Sequence, residues 1–132
     1  MVLKAAERLP MTPELEAKLV ASVVELATAN PEFVYEAPAG GAACLYTHKD
    51  EPSCLIGQAL SKVGYTIEEL YEFDHNEMRE SDAGWILTEL GASDEVALWA
   101  LGVQTRQDDQ VAWGNALWYT DEECGRPEVK VA

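Results

Sequence analysis

Cys54 is the residue whose type and position best suit nucleophilic chemistry. It follows Pro52 and Ser53 at the predicted start of a helix, where the helix dipole lowers the pKa of a thiol and favours the thiolate. His48 and His75 are the two histidines of the chain, and either would serve as the base of a Cys-His pair. Free cysteines are also among the most buried residue types. The alternative to a catalytic Cys54 is therefore a buried cysteine with a structural role.

Cys44, His48 and Cys54 are also candidates for a zinc site, because sulfur and imidazole nitrogen are the ligands that zinc prefers. Zinc modules usually supply their ligands in close pairs such as C-x2-C, and the chain contains no such pair. The segment 74–79 lacks the oxygen ligands and the glycine of a calcium loop. We therefore predict no metal and no cofactor, and the sequence favours binding over catalysis without deciding between them.

The elements that would position these residues begin with a well-marked helix. Thr12 is the predicted N-cap, Pro13 the first helical residue, and Asn30-Pro31 the end. Its predicted buried stripe consists of Leu15, Leu19, Val23 and Leu26. Residues 33–35 and 42–48 are predicted to form two short paired strands.

Five shorter helices are predicted after the strands. Ser53 is expected to cap a helix that ends near Val63, and the Thr66 to Glu69 segment is a capping box that opens the next helix. Further helices are predicted from about Ser81 to Leu90, from Ser93, and from Asp108 or Asp109. Trp113, Leu117 and Trp118 are expected to be core residues of the last one.

The composition favours one folded domain. The chain has 132 residues, of which 48% are hydrophobic, and four are tryptophans, so it can bury a core without disulfides or metal. We predict a mainly α (α+β) fold, a compact bundle of five to six short helices with a small β-hairpin. A single globular domain is expected over residues 1–132, with 1–11 as a flexible arm. Three cysteines and no signal or membrane segment favour a cytoplasmic protein with reduced thiols.

The negative charge is concentrated in the second half of the chain. The formal net charge is −15, and the segment 65–123 holds 15 of the 24 carboxylates but only Arg79 and Arg106 as bases. Such a charge disfavours direct binding to nucleic acid or to anionic membranes. A rigid array of carboxylates on helices can instead occupy a basic groove, as nucleic-acid mimics do. The predicted partner-binding residues are Glu68, Glu69, Glu72, Asp74, Glu77, Glu80 and Asp82. The alternative is a solvated acidic surface.

An amide-rich block, residues 103–117, permits two interpretations. In the first, Arg106 forms an ion pair with Asp108 or Asp109, while Gln104 and Gln107 cap neighbouring helices. In the second, Trp113 and these amides form a recognition surface. The structural interpretation is favoured, because the aromatic residues follow helical spacing.

Residues 44–46, 52–60, 64, 107–108 and 113–117 give the chain a resemblance to a known group. These segments, which include Pro52-Ser53-Cys54 and Trp113-Gly114, are similar to uncharacterised small acidic proteins of actinobacteria and their bacteriophages. The resemblance implies a cytoplasmic, phage-encoded protein. It assigns no role to any residue.

The predicted function is non-enzymatic binding of a protein partner with a basic surface. In this hypothesis the carboxylate-rich helical face sequesters or inhibits a basic host protein, in the manner of a nucleic-acid mimic. One alternative is a Cys54-dependent enzyme with a Cys-His pair. Another is a small structural or assembly module, including a homodimer, because four tryptophans exceed what one core of this size needs.

Overall fold

A computed structural model describes residues 9–36, 46–75 and 82–129 of the chain. Within these ranges, six helices and one antiparallel hairpin follow one another. The helices are α1 (Pro13–Ala29), α2 (Leu55–Val63), α3 (Ile67–Asp74), α4 (Ala83–Leu90), α5 (Asp94–Asp108) and α6 (Trp113–Cys124), and the strands are β1 (Thr47–His48) and β2 (Glu51–Pro52). The predicted mainly helical bundle with a small β-hairpin is confirmed.

Helix α1 begins and ends where the sequence predicts. The Thr12 hydroxyl accepts a hydrogen bond from the Leu15 amide at 3.3 Å, Pro13 occupies the first turn, and Asn30 is the C-cap. The predicted apolar stripe is slightly rotated, because Leu15 and Leu26 are only partly buried. The buried side chains of the helix are Glu16, Leu19, Val20, Val23 and Ala27.

The hairpin differs from the predicted pair of strands. Residues 33–35 are irregular, and the two strands are β1 and β2. Residues 42–45 lie outside the described ranges. Lys49 and Asp50 form a two-residue turn in which both have positive φ angles, 51° and 62°. Such a turn matches the twist of the two strands that it connects.

Helix α2 is capped by Cys54, whereas the sequence predicts Ser53 as its cap. The Cys54 Sγ accepts a hydrogen bond from the Gly57 amide at 3.4 Å. Ser53 lies before the helix, and its hydroxyl forms a hydrogen bond of 3.0 Å with the Tyr35 hydroxyl. Gly64 ends the helix with a φ of 120°, in agreement with the prediction.

Helix α4 is capped by Asp82 and helix α5 by Ser93; Ser81, the predicted start of α4, lies outside the described residues. The boundary between α5 and α6 differs from the prediction. Helix α5 continues to Asp108, where the sequence predicts the start of the next helix, and α6 begins only at Trp113.

Backbone carbonyls from residues 31–33 cap helix α6. The Trp113 amide donates to the Phe33 carbonyl at 2.9 Å, and the Gly114 amide donates to the Pro31 carbonyl at 3.0 Å. No side chain caps the helix at Ala112. These bonds commit the Phe33 carbonyl to a helix end, so it does not accept from a neighbouring strand.

One hydrophobic cluster joins residues of all six helices. Helix α1 packs against α2 and α6, while α5 packs against α2, α4 and α6. Trp99 lies fully buried in this cluster, and its indole N–H donates to Asp121 Oδ1 at 2.8 Å. Trp118, a predicted core residue, is instead exposed on the outer face of α6, whereas Trp113 and Leu117 are buried.

Residues 9–11, part of the predicted flexible arm, are held by hydrogen bonds. The Leu9 carbonyl accepts from the Tyr65 hydroxyl at 2.8 Å, and the Met11 amide donates to the Leu90 carbonyl at 2.9 Å. Residues 1–8 lie outside the described ranges. Across the ranges that the structure describes, no helix combines the length and the apolar character needed to cross a bilayer.

Candidate functional site

Both histidines of the chain line one groove between the hairpin turn and helix α3. The groove has a volume of about 490 Å³, which is typical of small-ligand sites. We call it the histidine groove. Its chemically active side chains are His48, Lys49 and Asp50 from the hairpin and Glu68, Tyr71 and His75 from α3 and its end.

Helix α3 forms one wall of the histidine groove. The predicted capping box at its start is present: the Thr66 hydroxyl accepts from the Glu69 amide at 3.2 Å, and the Glu69 carboxylate accepts from the Thr66 amide at 2.9 Å. Ile67, Tyr71 and His75 follow at intervals of four residues and therefore lie on one side.

Tyr71 and His75 form a stacked pair of rings. Their centroids are 4.1 Å apart and their planes differ by 19°. The His75 Nδ1–H donates to the Tyr71 carbonyl at 3.0 Å, because a carbonyl can only accept. In the neutral imidazole, Nε2 is therefore the nitrogen that can accept a hydrogen bond from a ligand.

Asp74 holds the hairpin against α3. Its Oδ1 accepts from the Tyr46 amide at 2.8 Å, and its Oδ2 accepts from the Thr47 amide at 3.0 Å and the Thr47 hydroxyl at 2.8 Å. Burial raises the pKa of the Asp74 carboxyl above its ordinary value, and the three hydrogen bonds oppose that shift. The carboxylate thus fixes the two walls of the histidine groove relative to each other.

A second groove meets the histidine groove at His48. It has a volume of about 410 Å³, and its walls include Phe33, Glu36 and Glu51. Phe33 is 47% exposed, although its ring contacts Trp113 edge to face with centroids 4.6 Å apart. The two grooves together present aromatic rings and carboxylates on both sides of His48.

Cys54 is not among the residues that line either groove. It is fully buried at the start of α2 and is engaged in a disulfide, whereas Cys124 carries a free, exposed thiol. A disulfide sulfur is not a thiolate nucleophile, so the predicted Cys-His pair lacks its nucleophile in this state. The expectation of reduced thiols is wrong at Cys54. That expectation was one basis for the predicted cytoplasmic location.

Two of the three zinc candidates, His48 and Cys54, lie among the residues that the structure describes. Within those residues, no group of three or more His, Cys, Asp or Glu side chains is arranged to hold a metal ion. His48 is exposed in the histidine groove, and Cys54 is in a disulfide. Cys44 lies outside the described ranges.

Three of the predicted partner-binding carboxylates face the interior. Glu69 is only 5% exposed and accepts a hydrogen bond from the Leu9 amide at 3.0 Å, besides its role in the capping box. Glu72 is buried, and Asp74 binds the hairpin. These side chains serve the fold, so they do not belong to an exposed row.

Glu68 and Asp82 remain exposed among the predicted partner-binding residues. Asp82 also caps α4, since its Oδ1 accepts from the Trp85 amide at 2.8 Å. Glu77 and Glu80 lie outside the described ranges. The described members of the predicted set therefore leave two carboxylates available for a partner.

Gln104 connects α4 to Tyr46, the residue before β1. Its Oε1 accepts from the Ala83 amide at 2.7 Å, and its Nε2 donates to the Tyr46 hydroxyl at 3.0 Å. Burial raises the pKa of the Tyr46 phenol well above its ordinary value. The capping role predicted for Gln104 is thus present in the structure.

Gln107 caps helix α2 from a distance of 52 residues along the chain. Its Oε1 accepts from the Leu55 amide at 2.8 Å and from the Trp113 indole N–H at 3.2 Å. Trp113 is therefore buried and is not part of a recognition surface. Arg106 forms a salt bridge with Glu123 of α6. The sequence predicts a salt bridge with Asp108 or Asp109 instead.

Comparison of the chain with protein-family models, with curated proteins and with solved structures gives no match. No family is assigned. The functional interpretation therefore rests on the two grooves and on the distribution of charge.

Tyr71, Lys49 and Asp50 are groove residues that the sequence analysis did not single out. Two signals in the sequence point to them. Lys49-Asp50 lies between residues able to pair as strands, and aspartate tolerates the positive φ of a tight turn. Tyr71 lies four residues before His75 on a helix whose start is well marked.

Proposed function

We propose that the protein is a non-catalytic binding protein that captures, and so sequesters or inhibits, a partner with a basic surface. The observation that carries the proposal is an excess of exposed carboxylates over basic side chains. The chain has 24 carboxylates and nine lysine and arginine side chains. Among the described residues, only three ion pairs are formed.

The outward carboxylates are frequent on three helices that pack side by side. Helix α5 packs against both α4 and α6. The exposed acidic residues on these helices and at their ends, which we call the α4–α6 acidic surface, are Asp82, Glu89, Asp94, Glu95, Asp108, Asp109, Glu122 and Glu123. Carboxylates fixed on helices attract a basic protein over a distance and speed its association.

The resemblance to actinobacterial and phage proteins makes a host protein the natural target of this proposal. A basic nucleic-acid-binding factor or defence component offers the required charge. Its affinity would fall with rising salt, since exposed charges are screened within about 8 Å at physiological ionic strength.

A salt-graded pull-down tests the proposal. The tagged protein is incubated with an actinobacterial host lysate at low and at high salt, and the retained proteins are quantified by mass spectrometry. The test variant carries Glu89→Gln, Asp109→Asn and Glu122→Gln. Exposed ion pairs contribute about 0.2–1 kcal/mol each, so the triple variant is expected to weaken retention about threefold or more.

A second triple variant controls for net charge alone. Glu14→Gln, Glu32→Gln and Glu128→Gln remove three exposed carboxylates outside the α4–α6 acidic surface, and this variant should retain the partner. If both variants lose retention of the partner equally, the interaction depends on net charge alone and not on the α4–α6 acidic surface. Absence of any basic protein at low salt would end the proposal.

A further inference from the structure

We propose that the histidine groove binds an arginine side chain presented by an extended basic segment of the partner. This inference rests on the proposed function and specifies the ligand of one site. Four features of the groove support it: exposed rings, carboxylates beside them, walls held in place, and a neighbouring groove that extends the surface.

The first feature is the stacked pair of Tyr71 and His75. Tyr71 is 55% exposed although it stacks on His75. The planar guanidinium of arginine stacks on aromatic faces, whereas the ammonium of lysine is compact and more strongly hydrated. The groove therefore favours arginine over lysine.

The second feature is the charge beside the rings. Glu68 lies three residues before Tyr71, so the two side chains share one face of α3. Asp50 contributes a second carboxylate from the hairpin, and among the described residues that line the groove Lys49 is the one lysine or arginine. Carboxylates bind guanidinium groups through two parallel hydrogen bonds. His75 Nε2 offers a further acceptor on the same wall.

The third feature is that the groove walls are held before a ligand arrives. Asp74 binds the Tyr46 and Thr47 backbone amides, so the hairpin is fixed to the end of α3. The capping box of Thr66 and Glu69 fixes the other end of the helix. A site with preformed walls loses less conformational entropy on binding.

The fourth feature is the second groove, which continues past His48. Phe33 and Val34 are exposed there, and Glu36 and Glu51 supply two more carboxylates. His48 lines both grooves, so the two grooves are adjacent on the surface. An extended segment with an arginine followed by an apolar residue matches this order of charge and apolar surface.

Titration with a defined peptide tests the inference by nuclear magnetic resonance. The probe is a short soluble peptide, Gly-Arg-Gly-Leu-Gly, and its matched control replaces arginine with the neutral isostere citrulline. The chain has two histidines, and both line the groove, so their imidazole C–H signals report on it directly. We expect saturable shifts of these signals with the arginine peptide and none with the citrulline peptide.

Two pairs of variants separate the groove from the rest of the surface. Tyr71→Ala and Glu68→Gln are each expected to weaken binding about twofold to fivefold, as exposed cation–π contacts and ion pairs do. Tyr119→Ala and Glu14→Gln alter an exposed tyrosine on α6 and an exposed glutamate on α1, and they should leave the affinity unchanged.

The outcomes distinguish this inference from the proposed function. Unshifted histidine signals, together with calorimetric binding of the arginine peptide, would place the site elsewhere and leave the acidic binding protein intact. Equal shifts with the citrulline peptide would overturn the assignment of a cation. If the salt-graded pull-down also retains no basic protein, the proposed function fails as well.

Discussion

At the scale of single residues, buried polar side chains determine how distant segments join. Gln104 and Gln107 lie one helical turn apart on α5, and each accepts a hydrogen bond from the first amide of another helix. An unsatisfied buried donor costs about 1–3 kcal/mol. The side chains of Gln104 and Gln107 therefore stabilise the positions of α2 and α4 in the fold.

The substitution Gln107→Leu measures this role. It leaves the Leu55 amide and the Trp113 indole N–H without the acceptor they share, so we expect a loss of about 2–5 kcal/mol in the free energy of unfolding. Urea denaturation followed by tryptophan fluorescence measures the change. Thr105→Ala, at an exposed position of the same helix, should alter stability by less than about 0.5 kcal/mol. Similar stabilities for the two variants would contradict the capping role.

At the scale of elements, carboxylates and carbonyls from elsewhere in the chain hold segment ends. Glu16 of α1 accepts from the Ser93 amide at 2.8 Å, and Glu69 accepts from the Leu9 amide at 3.0 Å. Backbone carbonyls of residues 31–33 cap α6. Part of the acidity of the chain is thus used inside the fold, where a negative group favours the positive end of a helix dipole.

Close contact between α2 and the backbone of Tyr46 gives a prediction at this scale. A Cβ at Gly57 would lie 2.6 Å from the Tyr46 carbonyl oxygen and 2.9 Å from the Tyr46 Cα. Since both are backbone atoms, Gly57→Ala is expected to destabilise the protein by about 1–3 kcal/mol. Differential scanning calorimetry should show a lower Tm.

Gly84→Ala is the matched control for that substitution. Gly84 also lies within a helix, but the atoms nearest to its added Cβ belong to the side chains of Asp82 and Leu101, at 3.3 Å. Alanine improves helix propensity by about 1 kcal/mol, which offsets this milder crowding. If Gly57→Ala is as stable as Gly84→Ala, the close approach at Tyr46 does not constrain the fold.

At the scale of the whole molecule, two buried tyrosines make stability depend on alkaline pH. Burial raises the pKa of Tyr46 and of Tyr65 well above the ordinary phenol value. The folded chain therefore holds these two protons more tightly than the unfolded chain does. Their contribution to stability is complete below a pH of about 10 and is lost as the pH rises above it.

Urea midpoints measured across the alkaline range test this dependence. We expect a falling midpoint above a pH of about 10, and a shallower fall for Tyr65→Phe. That variant lacks one ionisable hydroxyl. It also loses the hydrogen bond to the Leu9 carbonyl, which lowers the free energy of unfolding by about 1 kcal/mol at all pH values. Identical slopes for the two proteins would exclude Tyr65 as a source of the alkaline loss.

Local signals in the sequence determined three of the six helix starts in the described part of the chain. Thr12, Thr66 and Ser93 are N-caps in the structure as predicted, because a cap is a contact between residues three apart. The mainly helical fold followed from the same periodic signals. The capping roles of Gln104 and Gln107 also followed from amides in a polar block that is flanked by apolar residues.

The tertiary structure alone decided which polar residues face outward and which elements meet. The sequence shows a row of carboxylates from Glu68 to Asp82, yet Glu72 is buried, and Glu69 and Asp74 accept hydrogen bonds from segments far along the chain. The start of α6 depends on carbonyls of residues 31–33, about 80 residues earlier. His48 and His75 meet at one groove because Asp74 fastens the hairpin to α3. Contacts between distant residues leave no periodic pattern in the sequence, and for that reason the groove became visible only in the folded chain.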